Sequence, residues 1–268
     1  MSAISSETAG ILVDEPSPGV VRICINRAER MNALGVATTN ALREAIIAAT
    51  TGAARVVVLT GAGRVFCAGA DLKERQQMSE PERHAHNRAI NAAVEALAAS
   101  PLPTIAAING HALGGGCELA LGCDLRVMGA GAQIGLTEAR IGAIPGAGGT
   151  QRLPRLIGAS RALEMILTGE PVTAERAAEI GLVNIVAPVE DLWGRALGLA
   201  VLLASRSPSA TAMAKAAVLG GLEKPLAEGL EIERLALANI FASPDYAEGL
   251  AAFAQKRAPR FADSLRKG

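Results

Sequence analysis

Glu118 and Glu138 stand 20 residues apart, and each adjoins a glycine-rich stretch: Gly114-Gly115-Gly116-Cys117 before the first, Gly142-Ala143-Ile144-Pro145-Gly146-Ala147-Gly148-Gly149 after the second. Backbone without side chains lets a substrate come close to main-chain N–H groups, and a carboxyl beside such backbone can move protons to or from what binds there. Two carboxyls suggest two proton transfers. If they lie about 4 Å apart, they repel by roughly 4 kcal/mol at an effective dielectric near 20, or about three pKa units. One is then expected to hold a proton and the other to be ionised, giving an acid and a base. A glutamate alone is more often a surface or helix-capping carboxylate; the neighbouring glycines reverse that preference here.

The segment from Ile105 to Asp124 reads as a strand, a turn and a short helix, so the helix begins among glycines. Its first N–H groups have no intrahelical acceptor and carry partial positive charge, which suits a developing oxyanion. Gly115 is the candidate donor. A second turn, from Gly63 to Glu74, follows the strand ending at Thr60 and offers the N–H of Ala70 as another. Losing one of two such donors typically costs on the order of 3 kcal/mol of transition-state stabilisation. In the same turn Asp71 reads as a helix cap and Lys73 as a solvated surface lysine.

Alternating β-rich and helical patterns must position these groups. Val20 to Ile25, Arg55 to Thr60, Thr104 to Ile108 and Leu125 to Met128 read as strands, with helices over about Val36 to Ala49 and Glu80 to Ala99. Ser79-Glu80-Pro81-Glu82 marks the start of the second helix. After Ser205-Arg206-Ser207-Pro208 the pattern turns almost wholly helical, with candidates over Ser209 to Leu219, Leu222 to Phe241 and Asp245 to Gln255. These patterns predict an α/β fold with a core over residues 1–205 and a helical C-terminal region over 206–268.

Composition narrows the chemistry. The chain has 268 residues, half of them apolar, with 26 basic and 26 acidic residues and only six aromatic ones. That supports a sizeable core but no counterion-release drive or stacking platform for nucleic acid. The apolar run Ala196 to Ala204 is far short of the roughly 20 residues a membrane span needs. The N-terminal residues show no basic region followed by an apolar one, so a cytoplasmic protein is expected. Cys24, Cys67, Cys117 and Cys123 lack CxxC spacing and read as free buried thiols, and no metal site is expected. GxGxxG fails at Gly61-Ala62-Gly63, where Phe66 takes the last position, and at Gly146-Ala147-Gly148, where Gln151 does. No glycine loop runs into GK[ST], and no serine lies in GxSxG. Acid–base chemistry remains.

The chain resembles the crotonase superfamily, and within it the enoyl-CoA hydratases. The resemblance runs from Asn26-Arg27 and Asn32-Ala33-Leu34 through Phe66-Cys67-Ala68-Gly69-Ala70-Asp71-Leu72 and the Asn109 to Asp124 block. It continues over Glu138-Ala139-Arg140-Ile141-Gly142 and Pro145 to Leu153, and ends at Ala252-Phe253-Ala254-Gln255-Lys256-Arg257.

The resemblance implies a spiral of ββα turns with a helical C-terminal region used for trimer packing, commonly two trimers in a hexamer. It implies an acyl-CoA thioester substrate, with the amides of Ala70 and Gly115 on the thioester oxygen and no cofactor apart from the coenzyme A of the substrate itself. Glu118 and Glu138 match the positions that share the added water in hydratases: Glu118 as base toward water, Glu138 as acid toward the α-carbon. Isomerases, hydrolases and decarboxylases of the superfamily commonly replace one or both, so the pair favours hydration. Alternatives are a specialised hydratase of carnitine, aromatic or branched-chain acyl groups, an enoyl-CoA isomerase, or a non-catalytic acyl-CoA-binding subunit. By the same resemblance Ala68, Ala70 and Leu72 line the coenzyme A path. Lys73 and a neighbouring subunit's Lys256 meet phosphates, and Phe253 closes the acyl end. Glu29 stands where relatives often have lysine, leaving Arg30 as the substitute charge. The segment from Gln76 to Asn87 is expected to form a mobile flap with His84 and His86 exposed.

Overall fold

A computed structural model describes residues 6–261. The chain opens with β1 (Ser6–Thr8), β2 (Ile11–Ser17) and β3 (Val20–Ile25), followed by α1 (Val36–Thr51), β4 (Val56–Gly61), β5 (Val65–Cys67), the one-turn α2 (Leu72–Arg75) and α3 (Glu80–Ala98). Next come β6 (Thr104–Ile108), β7 (His111–Leu113), α4 (Gly115–Gly122), β8 (Leu125–Gly129), β9 (Gln133–Gly135), α5 (Gly149–Ile157) and α6 (Ala159–Thr168). After β10 (Val172–Thr173), α7 (Ala174–Glu179), β11 (Ile185–Ala187) and α8 (Leu192–Ala204), the described chain ends in α9 (Pro208–Leu222), α10 (Leu226–Phe241) and α11 (Pro244–Ala254).

Two sheets share these strands, one in the order β1-β2-β3-β4-β6-β8-β11 and a smaller one in the order β10-β9-β7-β5. Each of the pairs β4-β5, β6-β7 and β8-β9 places its first strand in the large sheet and its second in the small one, and a helix follows. That repetition is the expected spiral of ββα turns. Within it the neighbours β3, β4, β6, β8 and β11 run parallel, while β2 and then β1 extend one side antiparallel, β1 forming the edge.

Strands buried on both faces read as continuous apolar runs, and β4 (VVVLTG) and β6 (TIAAI) are buried throughout. Successive side chains point to opposite faces. Val57 and Leu59 enter the main core with Leu42, Ile46, Val94 and Leu97 of α1 and α3, whereas Val56 and Val58 pack with Leu192, Ala196, Ala200 and Ala204 of α8. The four-residue spacing of the last set is a helical stripe, so the apolar run from Ala196 covers the far face of the sheet. No described helix is long and apolar enough to cross a membrane.

Local signals explain several boundaries. Ser79 and Glu82 form a capping box at the start of α3, with Pro at the first turn. Asp71 caps α2, accepting from the Glu74 N–H at 3.2 Å. Ser207 caps α9, and its hydroxyl also bonds Asp245 at the start of α11. The four cysteines are free and buried. From Glu80 onward the segment expected as a flap is the start of α3. His84 is exposed, but His86 is buried, at 2% exposure. His86 falls on the stripe it shares with Ile90, Ala93, Val94 and Leu97, and helical periodicity places it inside.

Candidate active site

Ala70 lies in a short parallel bridge with Leu34. The bridge is made by its neighbours: the Leu34 N–H donates to the Gly69 carbonyl at 2.8 Å, and the Asp71 N–H donates to the Leu34 carbonyl at 3.0 Å. Register therefore leaves the Ala70 N–H without a backbone acceptor among the described residues. Gly115, the first residue of α4, has none within its helix for the ordinary reason that helix starts have none. Its N-cap, Gly114, has φ 52° and ψ −122°, a conformation that needs glycine. The two amides are neighbours, because a Cβ built on Gly115 would lie 3.6 Å from the Ala70 nitrogen. Two unpaired donors that close can share one oxygen.

Glu118 is in the first turn of α4 and is 3% exposed. Its Oε1 accepts the N–H of Ala147 at 2.7 Å and of Gly149 at 2.9 Å, both at the glycine-rich start of α5. Asn87 of α3 holds this loop by donating to the Gly146 carbonyl at 3.0 Å. Arg152 braces it from α5, donating to the Ala147 carbonyl at 3.2 Å and pairing with Glu95 at 2.8 Å. Burial raises the Glu118 pKa above the ordinary carboxyl value, opposed by the two amides and by the charges of Arg152 and Arg75.

Glu138 begins a short 3-10 turn, Glu138–Ile141. A Cβ on Gly114 would lie 3.0 Å from its Oε1, so the missing side chain lets this carboxyl sit against the start of α4. Its Oε2 is buried with no hydrogen-bond partner among the described residues. Burial pushes Glu138 up to about 7; the Glu118 charge adds to the rise, while its own backbone amide and Arg75 pull the other way. The expected order of causes is corrected here. Repulsion between the carboxylates contributes, but withdrawal from water is the larger effect. The two sites differ in donors: Glu118 has two amides from another element to hold it ionised, and Glu138 has none.

Sequence reasoning did not single out Arg75, Arg152 or the α5 amides. Arg75 ends α2, and its charge acts on both Glu118 and Glu138. Of the residues expected along the coenzyme A path, Ala68 and Ala70 are partly exposed, and Leu72 and Lys73 lie exposed on α2. Phe253, near the end of α11, is 84% exposed, and Lys256 follows the helix. Within the single chain neither is drawn into the glutamate site. Arg30 is engaged elsewhere, donating to both Asp71 oxygens at 3.0 and 2.9 Å. A separate cavity of ≈ 410 Å³, lined by Ile11, Val13, Val21, Ala45 and Ala49 among others, shares no lining residue with the glutamates.

The fold and the site together define a crotonase-type α/β protein, with two amides that lack acceptors among the described residues, one buried carboxyl and one half-buried carboxyl around one helix start. Its sequence matches the family described as enoyl-CoA hydratase/isomerase over residues 15–264. It is 44% identical over 252 residues to the mouse enoyl-CoA hydratase domain-containing protein 2, mitochondrial, covering 92% of this chain and 85% of that one. With enoyl-CoA hydratase, mitochondrial, from Pongo abelii it shares 42% identity over 242 residues, covering 90% and 83%. The crystal structure of enoyl-CoA hydratase from Bacillus anthracis superposes with a TM-score of 0.92 at 45% identity, covering 94% of this chain and 98% of that one. The chain belongs to the enoyl-CoA hydratase/isomerase family of the crotonase superfamily.

Proposed function

We propose that this site adds water reversibly across the double bond of a 2-trans-enoyl-CoA to give a 3-hydroxyacyl-CoA. The observation that carries the reading is the unequal poise of the two carboxyls: Glu118 held by two amides, Glu138 half-buried with one oxygen, Oε2, buried and without a partner among the described residues, and a pKa of about 7. The amides of Ala70 and Gly115 hold the thioester oxygen and stabilise the enolate that forms as water attacks the β-carbon. Glu118 takes a proton from that water, and Glu138 delivers one to the α-carbon. Because the pair exchanges protons through a shared water, the two steps belong to the dyad as a unit. Every proton comes from water or these side chains and no electrons leave the substrate, so the proposed reaction calls for no redox cofactor.

Coenzyme A, as part of the substrate, runs past Ala68, Ala70 and Leu72, with Lys73 beside its phosphates. Phe253 and Lys256 enter this reading through a neighbouring subunit. A homotrimer, or a dimer of trimers, is favoured by α10, which buries none of its residues in the single chain and exposes Leu226, Leu230, Leu235, Leu237 and Phe241. Light scattering of the purified protein checks this; a monomer at micromolar concentration removes it.

Crotonyl-CoA mixed with the protein should lose its conjugated thioester absorbance, and the product should run as the 3-hydroxyacyl thioester. Glu118→Gln and Glu138→Gln should each remove most of that rate. Unchanged rates in both variants, or a product that is only a shifted alkene, would overturn hydration.

A further inference from the structure

Arg75 is the charged group beside the glutamates that the proposed reaction leaves unused. It is half-buried at the end of α2, and its Nε donates to His86 Nδ1 at 3.3 Å. Arginine has no acceptor, so His86 Nδ1 must accept; the hydrogen of the neutral imidazole then sits on Nε2, 2.9 Å from the Leu34 carbonyl oxygen. That carbonyl also receives the Asp71 N–H beside Ala70. One buried histidine therefore anchors the guanidinium to the backbone that sets the oxyanion donor.

The outer nitrogens of Arg75, Nη1 and Nη2, make no hydrogen bond or ion pair among the described residues. Other arginines withdrawn from water here are satisfied. Arg126 donates to the carbonyls of Leu182, Ala120 and Cys123, and Arg22 is paired with Asp14. Neither glutamate supplies the missing partner to Arg75, although both charges reach it. Glu118 Oε1 is already taken by two amides, and burial favours the neutral form of Glu138. A guanidinium partly withdrawn from water with no anion on its fork is costly to hold, and its two parallel N–H bonds match a carboxylate.

From this geometry we infer that Arg75 is a binding site for a carboxylate on the far end of the acyl chain, so that the preferred substrates are thioesters of dicarboxylic acids. The inference rests on the reading of the pocket as an acyl-thioester site and deepens it by naming the acyl class.

Saturated ligands separate the two ideas, because they can bind but not be hydrated. In calorimetric titrations, glutaryl-CoA should bind the wild-type protein at least ten-fold more tightly than valeryl-CoA, which carries a methyl in place of the carboxylate. Arg75→Met should erase or reverse that preference. Arg75→Lys, which keeps the charge but loses the fork and the His86 contact, should retain only part of it. Taking the ratio within each variant cancels contacts common to both ligands and any change in folded fraction. Equal or tighter binding of valeryl-CoA by the wild type overturns the inference, as does a preference that survives in Arg75→Met. If Arg75 only tunes the glutamates, the pH profile moves on substitution and no preference appears, which also overturns it. A protein that shows the preference but hydrates neither crotonyl-CoA nor glutaconyl-CoA retains the carboxylate site and loses the proposed reaction. Failure to bind either ligand removes both.

Discussion

The helices α4 and α5 begin in the same way. Each has a glycine N-cap with positive φ, Gly114 at 52° and Gly148 at 97°, and each starts on a second glycine, leaving unpaired N–H groups at its mouth. Their uses diverge. At α5 the amides of Ala147 and Gly149 are consumed by Glu118, so this helix start is an internal clamp on a carboxylate. At α4 the Gly115 amide has no acceptor among the described residues and adjoins the Ala70 amide, which has none there either. The same local device serves as structure where a side chain fills it and, in the proposed reaction, as the oxyanion site where none does. The difference lies in what the rest of the fold brings to each mouth.

The largest expected effect breaks the open mouth alone. Gly115→Pro removes one donor at the first helical position, where proline is best tolerated, so kcat/KM should fall on the order of 100-fold while the melting temperature stays near wild type. A wild-type rate in this variant would mean that the two mouths are not functionally distinct. One residue further on, a Cβ at Gly116 would stand 2.1 Å from the Cys67 carbonyl oxygen, so Gly116→Ala forces α4 away from β5. It should lower stability by about 1–3 kcal/mol in denaturant titration, showing that the glycines of one mouth have separate duties.

The clamped and unclamped carboxyls can be compared by pH. Glu138, raised from 4.5 to about 7 in the folded protein, contributes stability that is present below pH 4.5 and lost as pH rises through about 7. Glu138→Gln cannot ionise, so it should melt higher than wild type at pH 8, with the gap closing by pH 5. The wild-type rate should likewise decline above pH 7 as the acid form is lost. A pH-independent melting difference would remove the assignment of Glu138 as the carboxyl without a clamp. The smallest change should come from Arg152→Met, which takes away one charge that lowers the Glu118 pKa. Glu118 then ionises at higher pH, and the acidic limb of kcat/KM should move upward; a downward move would contradict its role as the ionised partner.

Much of this was legible before any coordinates. Helical and strand periods placed β3, β6, α1, α3 and the C-terminal helices within a few residues of where they stand, because an amphipathic stripe is written in neighbouring positions. The strands β5, β7 and β9 escaped, since three residues are too few to display a period. So did β2, α5, α6, α7 and α8. His86 was misplaced for a different reason: the resemblance made its segment a flap with exposed histidines, yet its spacing to Ile90 and Val94 already put it on the buried face. Arg75 offered no such stripe, since α2 is a single turn; its side chain is held by His86 of the following helix.

Residue types and spacing were enough to nominate two glutamates, two glycine-backed amides and an alternating α/β chain, because glycine's freedom and helix-start chemistry are local properties. Which carboxyl keeps its proton was not. That depends on amides 29 and 31 residues beyond Glu118, on the depth at which Glu138 is withdrawn from water, and on a guanidinium anchored through His86. Electrostatic energies depend on distance and on exclusion of water, and both come into being only when separate elements pack together.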